Sequence, residues 1–416
     1  MQRDVESPYA WWRLAAALAL MTIGGAGMYA MAVALPAVQA EFGVARGDAS
    51  LPYTLTMIAF GLGGVVMGRF ADRYGAMATA LVGAAGSGVG FIASGFAGNL
   101  WQFSLAQAVL IGFFGIASTF APLVADIGQW FERRRGIAVS IVMCGNYLAG
   151  ALWPPIMQHF FETAGWRNTL VGVGVFCLAA MPLLALALRG RPPASSVDRV
   201  RPDGSPSGAA EDRSRPLGMS PGALTALLSA AGVGCCVAMS MPQVHIVAYC
   251  GDLGYASARG AEMLSLMLGF GIASRLASGW IADHIGGLRT LLLGAVLQMV
   301  ALALFLPFRQ LEALYVLSAL FGLFQGGLVP SYALVVREYF SPREAGVRTG
   351  TVLMATLFGM ALGGWMPGAI FDATGSYHAA FLNGIAWNAI TTAIAIFLLY
   401  RAGRSGAAYF RLSALR

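Results

Sequence analysis

The chain has 416 residues, of which 58% are hydrophobic and 11% charged, with a formal net charge of +7 and a mean hydropathy of +0.70. So apolar a composition excludes a soluble globular enzyme or binding domain and indicates an integral membrane protein. Lysine is absent, so arginine supplies the whole basic balance, and its placement rather than its sum decides what the charge means.

Apolar runs of about 20 residues recur along the chain, each long enough to cross a hydrocarbon core of about 30 Å as a helix. The period-two alternation of a barrel is not seen. Spans are predicted near 14–38, 50–69, 75–97, 100–127, 136–158 and 166–188, and again near 221–250, 259–281, 287–307, 310–336, 346–370 and 377–401. The first run follows Arg13 and contains small residues, as a cleaved leader would, but its length and the counterpart run beginning near Pro221 argue for a retained span. Residues 189–218 are rich in Pro, Gly, Ser and charge, too polar to bury a core, and read as a linker. The expected fold is an all-α membrane protein with twelve transmembrane helices in two six-helix, pseudo-symmetric bundles, residues 1–188 and 219–416, tethered by a cytoplasmic linker over 189–218.

The halves are repeats. Asp72 and Asp283 stand in similar polar turns at an offset of 283 − 72 = 211, and Gly136 and Gly346 at 346 − 136 = 210. Glu162 with Trp166 and Asp372 with Tyr377 follow the same spacing. One spacing on both sides of a linker means parallel repeats about an axis along the membrane normal. With both termini inside, only Arg46, Arg167, Arg259 and Arg309 of the 26 arginines fall outside; Arg275 lies within a span and the other 21 are cytoplasmic. The positive-inside rule therefore sets the orientation, and the anionic inner leaflet, not nucleic acid, is the partner of the basic charge.

Two stretches carry a resemblance. GRFADRYG at Gly68–Gly75, its weaker copy GWIADHIG at Gly279–Gly286 and the twelve-helix plan resemble the major facilitator superfamily over nearly the whole chain. WFERRRGIAVSIVMCG at Trp130–Gly145 is similar to the fifth-helix signature of the monocarboxylate porters and their bacterial oxalate/formate antiporter relatives. The acidic, glycine-rich first helix of animal monocarboxylate carriers is replaced by GGAGMYAMAVALP, and Gly271 stands where those carriers place an aspartate one turn before the eighth-helix arginine. The eleventh helix lacks the lysine of the oxalate relatives, and Phe120 falls where relatives carry a tyrosine.

Arg275 lies about 12 Å inside the cytoplasmic end of its helix, eight residues before Asp283. No Asp or Glu falls in the middle of any predicted span, so the missing counter-ion is expected to be a substrate carboxylate held by a charge-assisted pair. The bland reading is an arginine snorkelling to the interface. His245, just past the helix-bending Pro242, is a second candidate for substrate or proton, against the reading of a satisfied core histidine. The resemblance places a histidine there in bacterial relatives.

Ser118, Phe120, Asn146, Tyr147, Gln325 and Tyr332 are further candidate cavity residues, with Tyr29 and Asn388 behind them, set against the use of such side chains as interhelical glue. Gly68, Asp72, Arg73, Gly75 and Asp283 are assigned to gating, the glycines for close packing and tight turns, the charges for pairing with helix ends when that side shuts. The five cysteines and four histidines show no metal or redox spacing, and no catalytic constellation or phosphate loop is present, so neither a cofactor nor an enzyme is expected.

The expected function is secondary active transport of small monocarboxylates, lactate- or pyruvate-like, coupled to protons through His245 and Arg275. The protein is expected to be a monomer, bacterial, in the inner membrane with both termini cytoplasmic. An oxalate/formate-type exchanger and a non-translocating, transporter-like sensor are the alternatives; multidrug efflux is disfavoured for want of a buried acid.

Overall fold

The computed structural model describes residues 6–190 and 216–404, apart from the side chains of residues 216, 342 and 343. Most of the linker expected over 189–218 therefore lies outside the described residues. Everything regular among those residues is helical.

Among the described residues, eleven helices are long and apolar enough to cross a membrane. One of them, Arg46–Gly95, has 50 residues and would be about 75 Å long if straight, more than twice the hydrocarbon thickness. Gly75 breaks it with φ 85° and ψ 168°, a backbone region open essentially to glycine alone. The span count is thus twelve: α1 (Pro8–Phe42), α2 (46–74), α3 (76–95), α4 (Leu100–Trp130), α5 (Arg135–Ala164), α6 (Trp166–Leu188), α7 (Pro221–Asp252), α8 (Ser257–Ile285), α9 (Gly287–Leu304), α10 (Leu311–Tyr339), α11 (Pro342–Thr374) and α12 (Tyr377–Arg404). Local chemistry starts several of them. The Ser7 hydroxyl accepts from Ala10 N, Asn99 caps α4 through Gln102 N at 2.9 Å, and Ser220 caps α7 ahead of Pro221, whose missing N–H costs nothing in a first turn.

The repeat is visible in the backbone. Gly286, 211 positions after Gly75, adopts φ 87° and ψ 159° between α8 and α9, nearly the same conformation as Gly75 between α2 and α3. Helices four and ten are both interrupted. In α4 an Ala106–Ile116 π-helix leads to a break at Phe120 (φ −101°, ψ −83°), since Pro122 cannot donate to the preceding turn. In α10 the break falls at Gly326–Gly327, between Leu311–Gln325 and Leu328–Tyr339.

The first and second sets of six helices meet along α1 with α7, α2 with α11, and α5 with α8. At one end of this seam the two sets are stapled together. The Asp372 carboxylate of α11 accepts from the first two amides of α2, Arg46 N at 2.9 Å and Gly47 N at 2.7 Å, so an acid from one half caps a helix of the other where the dipole favours an anion. The Arg46 guanidinium also pairs with Asp252, bonds Gln39 at 3.1 Å and lies over the Phe371 ring at 4.0 Å. Just below, Thr54 donates to Ala361 O at 2.9 Å, and Gly368 lets α11 approach so closely that an added Cβ would stand 2.6 Å from Ser50 Oγ. At the opposite end lie the two glycine turns, with Asp72, Arg73 and Asp283 all exposed and Gly68 facing open space.

Two outcomes are expected. Gly75→Ala and Gly286→Ala should each cost about 1–3 kcal/mol of backbone strain and lower the thermal unfolding midpoint in detergent, whereas Gly68→Ala, inside a helix and facing open space, should leave it unchanged or raise it; equal midpoints for all three would contradict the assignment. Asp372→Asn, which removes a helix-end charge worth about 0.3–1 kcal/mol, should raise a longer-distance population between spin labels at Val44 and Ser376, measured by pulsed electron resonance; the five native cysteines, all buried, would not compete for label.

Candidate functional site

Arg275 on α8 faces a cavity of about 330 Å³ between the two sets of helices, floored by Met28, Tyr29 and Phe60 and walled by Phe120, Asn146 and Tyr147 on one side and Gln243, Met354 and Met360 on the other. The guanidinium reaches across the α5–α8 seam. Its Nη1 donates to Met143 O at 3.1 Å, and its central carbon stands 4.5 Å from the centre of the Tyr147 ring. Its Nε is buried without a hydrogen-bond partner. No carboxylate among the described residues forms an ion pair with it.

Tyr147 explains how Arg275 lacks an acid. A side chain at Gly271, one turn before Arg275, would collide with the Tyr147 ring at Cε1 and Cδ1. The space that an aspartate would fill at this position is occupied by an aromatic face, which attracts the cation through its quadrupole without neutralising it. One carbonyl and one ring face leave the guanidinium with donors to spare.

The other expected residues divide by which side of their helix meets the cavity. Phe120, Asn146 and Tyr147 line it, as does Tyr29. Phe120 sits at the α4 break and packs edge-on against Phe60, ring centres 5.7 Å apart; Asn146 Nδ2 approaches Met28 Sδ at 3.7 Å. Gln325 is fully buried behind the lining and accepts from the lining residue Gln243 at 3.2 Å, its own Nε2 having no partner. Ser118, Tyr332 and Asn388 are buried away from the cavity. Ser118 packs toward Gly83, the Tyr332 hydroxyl donates to Cys235 Sγ at 3.3 Å, and Asn388 donates to Ala295 O at 2.8 Å.

His245 also lies outside the cavity, 1% exposed. Gly364 O, which only accepts, takes a hydrogen bond from Nε2 at 2.8 Å; Nδ1 of the neutral ring then accepts from the Tyr377 hydroxyl at 2.8 Å. Tyr377 in turn receives Arg46 Nη1 at 3.4 Å. The histidine is therefore the inner end of the network that staples the Asp372 end of the seam. The geometry follows from helix periodicity: residues two apart on a helix are about 200° apart, so with Gln243 on the cavity His245 points away from it.

Two features escaped the sequence reading. Gln243 was passed over beside His245, although it shares the Pro242 bend. Arg13 and Asp126, both near helix ends, form a bidentate pair, Nε–Oδ2 and Nη2–Oδ1 each 2.7 Å, with Arg13 1% exposed and over the Trp130 ring at 4.7 Å. Their separation of 113 positions has no local signature; the rule that buried charges are paired is the signal that would have found them.

Comparison with known proteins agrees with this architecture. The sequence model of the Major Facilitator Superfamily matches residues 16–312 and 263–409. Monocarboxylate transporter 11 of Homo sapiens is 28% identical over 412 residues, covering 91% of this chain and 80% of that protein, and Monocarboxylate transporter 13 of Bos taurus is 29% identical over 322 residues, 77% and 73% of the two. Among solved structures, the peptide transporter POT in complex with sulfate superposes with a TM-score of 0.74 at 14% identity, over 98% of this chain and 97% of that one. A bacterial homologue of the human lysosomal transporter Spinster, in an inward-facing and occupied conformation, does so at 0.69 and 14%, over 96% of each.

The Tyr147–Gly271 complementarity is testable by a double-mutant cycle. Gly271→Asp alone should destabilise the protein by steric conflict, while Gly271→Asp with Tyr147→Ala should recover stability, with a coupling of about 0.5–3 kcal/mol read from thermal unfolding. Additive effects would show that the ring does not occupy the aspartate's place.

Proposed function

We propose, on the premise that this chain belongs to the Major Facilitator Superfamily and is like the monocarboxylate transporters, that it carries monocarboxylates across the membrane by alternating access, with Arg275 receiving the carboxylate. The observation that carries this reading is a guanidinium facing a central cavity with a free inner N–H and no protein acid. An uncompensated cation at this depth is costly, and a carboxylate offers the planar, two-oxygen partner that neutralises it. One cation matches one carboxylate, of which lactate and pyruvate are small examples.

The arginine distribution supports a reading in which both termini are cytoplasmic. The Arg46–Asp372 end is then the outer, closed end of the seam, and the Gly75 and Gly286 turns lie on the inner side. The exposed Asp72, Arg73 and Asp283 pair with neighbouring helix ends when that side shuts.

Proton symport is the proposed coupling. The cavity lining contains no carboxylate and no histidine, and both ring nitrogens of His245 are engaged, so the carboxylate meets Arg275 ionised and the co-transported proton is taken up by a group outside the cavity lining. The bare charge of Arg275 also favours a second reading, anion exchange: a carrier that returns empty moves an unneutralised cation, whereas one that returns loaded does not.

Uptake into proteoliposomes decides between them. Symport predicts acceleration by an inward-directed proton gradient, and exchange predicts acceleration by preloaded carboxylate without any gradient. Arg275→Gln should lower uptake at least about tenfold, since hydrogen bonds to charged groups contribute about 1.5–3 kcal/mol; transport at the native rate by this variant would contradict the assignment.

A further inference from the structure

The chemistry of the cavity away from Arg275 bears on which monocarboxylate is carried, an inference that rests on the carboxylate reading above. The cavity of about 330 Å³ is the share of roughly eleven water molecules at about 30 Å³ each, against the six heavy atoms of lactate. Its far walls are apolar and adaptable: Met28, Met239, Met354 and Met360 with Phe60 and Phe120. Phe60 and Phe120 meet edge-to-face, an arrangement that a further ring can extend. Methionine, unbranched and polarisable, moulds to bulky apolar groups and contacts ring edges favourably.

Several of the polar side chains that line the cavity are committed to the protein. Gln243 donates to Gln325 at 3.2 Å, Thr356 Oγ donates to Leu353 O at 2.7 Å, and the Tyr147 ring face is covered by Arg275. Asn146 directs its amide nitrogen at the Met28 sulfur. A small hydroxy acid seated on Arg275 would leave most of these apolar walls facing water.

We propose that the preferred substrate is a monocarboxylate bearing an apolar body of about ring size, an aromatic or branched-chain 2-oxo or 2-hydroxy acid, with the carboxylate on Arg275 and the apolar body between the Phe60–Phe120 pair and the methionine wall. Such an acid buries its body as it neutralises the cation. Adding even one methylene to a matched apolar pocket changes discrimination by about tenfold or more, so a ring should separate the two classes clearly.

The test is equilibrium binding to the purified native protein in lipid nanodiscs by calorimetry, with phenylpyruvate and 4-methyl-2-oxopentanoate set against lactate and pyruvate, and with benzyl alcohol as an uncharged ring. The expected result is a Kd for phenylpyruvate at least about tenfold below that for lactate, with benzyl alcohol weaker than either acid. Lactate and pyruvate binding as tightly as phenylpyruvate, or more tightly, would overturn the proposal and leave the monocarboxylate reading standing. Benzyl alcohol matching phenylpyruvate, or no acid binding at all, would overturn both.

Discussion

A guanidinium held inside a spanning helix without an acid to neutralise it is the constraint on which the rest of this structure depends. In hydrocarbon an isolated charge is expensive, and proteins ordinarily meet that expense with a partner carboxylate. Arg13 and Asp126 do so here, bidentate and buried, within one half of the molecule. Arg275 instead has a backbone carbonyl and the face of Tyr147. Both attract a cation and neither cancels it, so the site retains an electrostatic demand that a ligand can satisfy. Gly271 is the condition for that arrangement, because any side chain there would displace the ring.

The same cation joins the two halves. Arg275 extends from α8 to the backbone of α5, one of the contacts that must slide if the halves rock about the cavity. The Asp372 end is held differently, by a carboxylate that caps a helix of the opposite half and by Arg46 between Asp252, Phe371 and Tyr377. Repeat symmetry is broken in both places. The residue 211 positions before Arg275 is Gly64, and Glu162, the counterpart of Asp372, bonds Gln158 within its own helix rather than the other half. The duplicated scaffold places the two halves alike, and the unduplicated charges mark the two places where they differ, the Arg275 cavity and the Asp372 staple.

The helices were legible because each needs about 20 apolar residues; most observed ends extend a few residues beyond the expected ones, where polar turns continue the helix past the hydrocarbon, while α3 and α9 end two or three residues short. The twelfth span shows the limit of reading helices by continuity, since α2 and α3 form an unbroken run but for Gly75. That glycine was legible through its twin, Gly286. At the site, depth along a helix was legible and direction around it was not. Arg275, Asn146, Tyr147 and Phe120 face the cavity, while His245, Ser118 and Tyr332 at similar depths turn into the protein. Helices apolar all round give the sequence no polar stripe from which to read a face. Pairings such as Arg13 with Asp126 and Asp372 with the start of α2 depend on tertiary approach and leave no local spacing.

The central claim is that the charge of the substrate's carboxylate, rather than its shape, is what Arg275 recognises. Calorimetric titration of the native protein with a carboxylic acid and its isosteric carboxamide isolates that charge without altering the protein. The account predicts measurable binding of the acid and a loss of at least about tenfold for the amide, in line with about 1.5–3 kcal/mol for hydrogen bonding to a charged group. Equal affinities for the two would contradict it.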